Sequence, residues 1–248
     1  MSIKAVMITG ALGGIGSALV NLFSEHDYHV IATDLQKPTQ PLKSVHFIQA
    51  DLNQLVEDDT KANEFFTEVI DALSGLSLCG LINNAAIQIV KPMQDLTRAD
   101  WKQTLNINTI APFLLSQALL PHLEKAEGAI VNIGSVHATL TKPHFVAYAT
   151  SKAALTGLTR CLGVELGKRV RINAIAPAAI ATPMLSAGFM EYPERLTLLA
   201  DAHPIGRIGD PKEVAELALF LVSQQAKFIN GASFQIDGGI ANRLHDPV

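Results

Sequence analysis

The sequence predicts an α/β protein: a single domain with a doubly wound parallel sheet of about seven strands and helices on both faces. Three observations lead there. Short apolar, β-branched runs alternate along the chain with longer stretches of helical periodicity. The runs are apolar at nearly every position, as strands buried on both faces are. The connections are short, with no internal repeat, low-complexity tract or linker, so one domain over residues 1–248 is the simplest account.

Taken in order, the strands are expected at 5–9 (AVMIT), 29–33 (HVIAT), 45–50 (VHFIQA), 78–83 (LCGLIN), 129–133 (AIVNI), 170–176 (VRINAIA) and 232–237 (ASFQID). Helices are expected at about 14–25, 61–73, 97–125, 148–167 and 211–223. Two of them carry written starts. Thr97 stands as a capping residue before Arg98, Ala99 and Asp100. Asp210 precedes Pro211, whose missing N–H costs nothing in a first turn. The segment at about 183–210 breaks the alternation. It is long and holds several prolines and glycines, which marks a substrate lid rather than scaffold.

Composition removes several function classes. The net charge of −4 gives no electrostatic reason for a nucleic-acid or anionic-membrane partner. No run reaches the ~20 apolar residues of a membrane span. The opening residues lack a cleavage-site pattern, so a cytoplasmic protein is expected. Cys79 and Cys161 lie in apolar segments and read as reduced core thiols. No HxxxH or CxxC cluster offers a metal site.

The first strand runs into TGALGGIG (9–16) and then a helix. Gly10, Gly14 and Gly16 anchor that turn, and the helix N-terminus behind it offers N–H groups and a positive dipole end to a pyrophosphate. Strand, glycine turn and helix opening a run of βα units is the Rossmann-type context for dinucleotide binding. The second strand ends at Asp34, 18 residues beyond Gly16. A carboxylate there accepts hydrogen bonds from the ribose hydroxyls of NAD and repels the extra phosphate of NADP. Leu35 rather than a basic residue follows it, and Gly13 occupies the turn where a cation would meet a 2′-phosphate. NAD is therefore the expected cofactor. An aspartate that merely holds its own loop is the competing reading. Asp51, after the third strand, falls near the adenine on the same logic.

Seven motifs in order, TGALGGIG, NNAA (83–86), NINTIAPF (106–113), NIGS (132–135), YATSK (148–152), NAIAPAAIATPM (173–184) and FINGASFQIDGG (228–239), resemble the short-chain dehydrogenase/reductase family over essentially the whole chain. The resemblance implies roles. Tyr148 would be the general acid/base. A free phenol, with a pKa of about 10, is a poor base at neutral pH. Lys152, one helical turn on, would favour the phenolate and hold the nicotinamide ribose. Ser135 would orient the substrate oxygen, and Asn108 would hold a water linking Lys152 to solvent. Leu12, Gly13, Ile15, Leu35, Leu52, Asn84, Ala85, Pro177, Ile180 and Thr182 would complete the cofactor site with the anchors above, and family members are mostly homotetramers or dimers. The family often has glycine at Ala86 and Ala178. Both are expected to keep φ < 0, since alanine at φ > 0 costs about 1–2 kcal/mol.

The implied reaction is hydride transfer between NAD(H) and a secondary alcohol or ketone. Gln88 and the run Ser135 to His137 are similar to the 3-hydroxybutyrate dehydrogenase branch, where such residues hold a carboxylate. That branch has a lysine where this chain has Phe145, and Lys142 or His144 stands nearby. Gln88, Ser135, His137, His144 and Tyr148 are the candidate substrate residues, under a lid carrying Met184, Leu185, Phe189, Met190, Tyr192 and Leu196, with Arg195, His203 and Arg207 among them. A small hydroxy acid, a sugar and a polyol all stay open. So do two other functions: an NADPH-dependent 3-oxoacyl-type ketone reductase, and a sensor that binds NAD without turnover. A serine hydrolase does not, because NIGSVHA is not a G-x-S-x-G elbow.

Overall fold

The computed structural model describes residues 3–40, 45–190 and 194–244. One all-parallel sheet runs in the order β3-β2-β1-β4-β5-β6-β7. Its strands are β1 (Ile3–Thr9), β2 (His29–Asp34), β3 (Val45–Gln49), β4 (Leu76–Asn83), β5 (Ala129–Ile133), β6 (Arg171–Pro177) and β7 (Ser233–Ile236). The helices are α1 (Gly14–Glu25), α2 (Leu52–Glu57), α3 (Asp59–Ala72), α4 (Arg98–Leu105), α5 (Ala111–Lys125), α6 (Val146–Glu165), α7 (Pro183–Ala187), α8 (Glu194–Ala202) and α9 (Pro211–Val222). The expected seven-stranded, doubly wound fold is the observed one.

Side-chain alternation divides the core in two. On β1, Val6 and Ile8 join the cluster under α1 and α9, while Ala5 and Met7 join the one under α3 and α5. Burying a large side chain such as Phe23 or Leu115 contributes roughly 1.5–3 kcal/mol. Both sheet faces are therefore apolar, which is why the strands read as continuous apolar runs.

The capping expectations hold. Thr97 and Asp100 form a reciprocal capping box, as do Asp210 and Glu213, with Pro211 in the first turn of α9. Three expectations needed revision. The helix expected at 97–125 is α4 and α5 joined by a π turn at Asn106–Ile110. Pro112 has no N–H for the Asn108 carbonyl four residues back, so the regular helix cannot continue there. Among the described residues, the segment at 183–210 is helical at Pro183–Ala187 and Glu194–Ala202. Thr182 caps the first of these by accepting from the Leu185 N–H at 3.2 Å. Cys161 is exposed and so is not a core thiol, while Cys79 is partly buried and packs against the core. Tyr192 and residues 245–248 lie outside the described residues.

Candidate active site

The strand order reverses between β1 and β4, and it is beyond the carboxyl ends at such a switch point that doubly wound sheets bind ligands. The glycine turn is laced to that point. The Thr9 hydroxyl accepts the backbone N–H groups of Asn84 and Ala85, both at 3.0 Å. The Asn84 amide returns to the Thr9 and Gly10 carbonyls, again at 3.0 Å. Gly10 has φ +63°, and a Cβ on it would lie 2.7 Å from Ala85 Cα. A Cβ on Gly16 would lie 1.9 Å from the Gly10 carbonyl oxygen. Glycine is thus obligatory at both positions, and the backbone stays bare where a pyrophosphate would approach it. Gly13 is the N-cap of α1, and Gly14 packs against the Thr182 methyl.

Asp34 does two things at once. Its Oδ2 accepts the Leu12 N–H at 2.9 Å and its Oδ1 accepts the Leu35 N–H at 2.8 Å. The carboxylate therefore tethers the glycine turn, as the competing reading held. A carboxylate has about four acceptor positions, so two remain for a ribose diol. Leu35 is largely exposed and Ile15 packs on the core. Asp51 caps α2 through the Asn53 N–H at 2.9 Å, and Leu52 is buried behind it. Pro177 closes β6, and Ile180 is buried where the chain bridges to Gly209. Neither Ala86 nor Ala178 has positive φ. These residues form a cradle that fits a nicotinamide dinucleotide.

The chemistry-bearing side chains lie at the ends of β5 and α6. Ser135, Tyr148 and Lys152 are all buried. The Lys152 ammonium donates to the Ile133 carbonyl at 2.7 Å and lies 5.8 Å from the Tyr148 ring centroid. Ser135 is hydrogen-bonded to Tyr148, and its Oγ also accepts the His137 N–H at 3.1 Å. Burial pushes the Tyr148 phenol up, and the Ser135 hydrogen bond offsets this only in part. Burial also pulls Lys152 down to about 8. The expected lowering of the tyrosine is thus not produced by the protein by itself. A dry site disfavours every ionised form, phenolate and ammonium alike.

Asn108 is fully buried in the π turn. Its Oδ1 accepts the Ile87 N–H, and its two Nδ2 hydrogens go to the Ile87 carbonyl and the Ser151 hydroxyl, all at 2.9 Å. Its side-chain donors are thereby spent. A water can be held only by an Asn108 acceptor, and the backbone carbonyl is the one that Pro112 leaves without its α-helical partner. Ser151 hands the connection on to the Tyr148 carbonyl at 2.7 Å. Sequence reasoning passed over Ser151, although its place three residues after Tyr148 puts it on the same helix face.

The substrate candidates separate. His137 stacks on Phe145 at 4.7 Å and meets Tyr148 edge-on at 5.8 Å, with its Nδ1 buried and without a hydrogen-bond partner among the described residues. Burial, and then the nearby Lys142 charge, pull its pKa down. Lys142 Nζ lies 4.6 Å from the Phe145 ring centroid. Gln88 is half-buried beside the Ile87 backbone that Asn108 grips. His144 points elsewhere in the chemistry: it is exposed, has φ +73°, and uses its carbonyl to accept from the Lys91 N–H. In the segment expected as a lid, His203 is buried and bonded through Nδ1 to the Leu199 carbonyl, and Arg207 pairs with Glu213 at 2.7 Å. Met184 and Met190 are exposed. No cluster of three or more metal-ligating side chains occurs among the described residues.

Residues 10–241 match a family model described as enoyl-(acyl carrier protein) reductase. A 3-oxoacyl-[acyl-carrier-protein] reductase of Thermotoga maritima is 33% identical over 245 residues, 96% of this chain and 97% of that protein. The structure of Thermoplasma acidophilum aldohexose dehydrogenase superposes with a TM-score of 0.91 at 28% identity, covering 100% of this chain and 97% of the other. That of 4-hydroxyisoleucine dehydrogenase complexed with NADH gives 0.87 at 32% identity, covering 97% and 100%. Fold and site define an oxidoreductase that works with a nicotinamide cofactor. The chain belongs to the short-chain dehydrogenase/reductase family.

Proposed function

We propose that this protein is an NAD(H)-dependent dehydrogenase of small secondary alcohols, reversibly forming the ketone. The observation that carries the reading is the buried Ser135–Tyr148–Lys152 group, whose ammonium is fixed on the Ile133 carbonyl at the mouth of the cofactor crevice. When bound, the cofactor takes or returns hydride at its nicotinamide ring. Ser135 orients the substrate hydroxyl, and Tyr148 takes its proton. Lys152 and the positive charge of the oxidised ring supply the field that offsets the burial of the phenol. The Asn108 carbonyl holds a water that passes the proton outward. Residues 183–210 cover the substrate.

NAD over NADP is supported by Asp34, which the glycine turn holds in place, and by the NADH bound in the structure of 4-hydroxyisoleucine dehydrogenase. A small hydroxy acid is supported by the row Lys142, Phe145, His137 and Tyr148, which sets a cation over the Phe145 ring and the His137 imidazole edge-on to the Tyr148 ring. Assembly into dimers or tetramers through α5 and α6 is part of the same proposal, supported by the exposed Phe113 and Val146 on those helices. A cytoplasmic setting fits the want of any helix, among the described residues, long and apolar enough to cross a membrane.

Calorimetric titration with NADH and with NADPH tests the reading, followed by an alcohol panel run with NAD. Strong NADH preference is expected. Tyr148→Phe should abolish turnover and spare NADH binding. Preference for NADPH would instead favour ketone reduction of the 3-oxoacyl type, in keeping with the Thermotoga maritima relative. NADH binding with no turnover by the unmodified protein would favour the sensor.

A further inference from the structure

Asn106 opens the π turn that carries Asn108, and only 4% of its surface is exposed. Its Nδ2 donates two bonds into α2, to Asn53 Oδ1 and to Glu57 Oε1, both at 3.0 Å. Lys102 of α4 closes on the same Glu57 oxygen at 3.1 Å. Asn53 in turn gives its backbone N–H to Asp51, the N-cap of α2. Two residues beyond Asn106, Asn108 spends its donors on the Ile87 carbonyl and Ser151. A single series of bonds therefore runs from Asp51 through Asn53 and Asn106 to the π turn, and from Asn108 to Ile87 and the Tyr148 carbonyl.

We propose that Asn106 is a positioning residue for the reaction: its amide clamps the π turn onto α2, and that clamp fixes Asn108 between the substrate-side backbone and the catalytic helix. The physical reason is the turn itself. With Pro112 unable to donate, the backbone at 106–110 has less helical hydrogen bonding to hold it, and π turns are rare and frequently mark functional sites. A planar amide with two donors, matched to two acceptors on α2, replaces that lost constraint. The proposal deepens the dehydrogenase reading and rests on it for the role of Asn108. The clamp itself can be tested without a substrate.

The reporter is the Ile87 amide, whose hydrogen bond ends on Asn108 Oδ1. Residue-resolved hydrogen exchange is measured on the full chain with NADH present. In Asn106→Ala, Ile87 should exchange about ten-fold faster, close to its rate in Asn108→Ala, a loss of roughly one hydrogen bond. The double variant should be no faster than Asn108→Ala, because both act through one contact. Glu57→Gln, which keeps the acceptor oxygen, should leave Ile87 as in the unmodified chain. If Asn106→Ala fails to fold, Asn53→Ala removes one acceptor from outside the turn and should still speed Ile87. Ile87 unchanged while only residues 52–57 exchange faster would overturn the proposal, as would additive effects in the double variant. On the best alcohol of the panel, kcat should fall about ten-fold with the KM for NAD within about two-fold. A chain that turns over no alcohol defeats the dehydrogenase reading, and the exchange data still decide the clamp.

Discussion

Replacing Asp34 with alanine removes a group that tethers the glycine turn and, on the proposed reading, also receives the cofactor ribose, and the two effects can be measured apart. On the fold side, the Leu12 and Leu35 N–H groups lose their carboxylate oxygens. The Leu35 bond is exposed, so water replaces it at little cost. The Leu12 bond is partly buried and charge-assisted, and its loss should cost about 1–2 kcal/mol of stability. On the cofactor side, two ribose hydroxyls lose a charged acceptor, about 1.5–3 kcal/mol, or roughly 10- to 150-fold in the Kd for NADH. NADPH has the opposite account. A phosphate charge about 4 Å from the carboxylate is repelled by up to about 4 kcal/mol near a protein surface, and the alanine removes that repulsion. NADPH affinity should therefore hold or rise while NADH affinity falls. The assays are calorimetric titration with each cofactor and urea unfolding of the unliganded chain. Asp34→Asn, which keeps one acceptor for Leu12 and drops the charge, should recover most of the stability and little of the discrimination. The reasoning is refuted if Asp34→Ala binds NADH within two-fold of the unmodified chain, or if the ratio of the two affinities does not move.

Other consequences follow from the same site. Gly16→Ala places a methyl 1.9 Å from the Gly10 carbonyl, so the turn must open. Unfolding in urea should show a loss of about 1–3 kcal/mol or more, with NADH binding lost as well. Lys152 loses its proton near pH 8 when folded and at 10.5 when unfolded. Between those values the unfolded chain binds the extra proton, so stability rises with pH; the burial penalty of about 3 kcal/mol is complete below pH 8 and gone above 10.5. Lys152→Met should therefore be the more stable chain at pH 7, by an amount that shrinks from pH 8 to 10.5 in paired urea titrations. Lys142→Ala should raise the KM for hydroxy acids about ten-fold and leave neutral alcohols unchanged, as a charge-assisted contact predicts; equal effects on both would remove Lys142 from substrate recognition.

The sequence by itself determined the sheet, its seven strands, most of the helices and two of their caps, because these follow from local rules. Continuous apolar runs need burial on both faces, Thr97 and Asp210 satisfy helix N–H groups next to them, and Gly10 and Gly16 answer steric demands set within one turn. It also marked Ser135, Tyr148 and Lys152, whose place in known motifs is written in residue order. Tertiary structure alone decided what those residues experience. Whether Asp34 tethers Leu12, whether Asn108 has a donor to spare, and which of Lys142 and His144 stands over the Phe145 ring depend on parts of the chain brought together through space. The pKa of Tyr148 shows the division most clearly. Spacing puts a lysine one turn away and suggests a lowered value, but the depth of burial, which no spacing records, raises it instead. The π turn is the intermediate case: Pro112 was legible all along, but only the packing of α2 against Asn106 shows what its missing N–H allows.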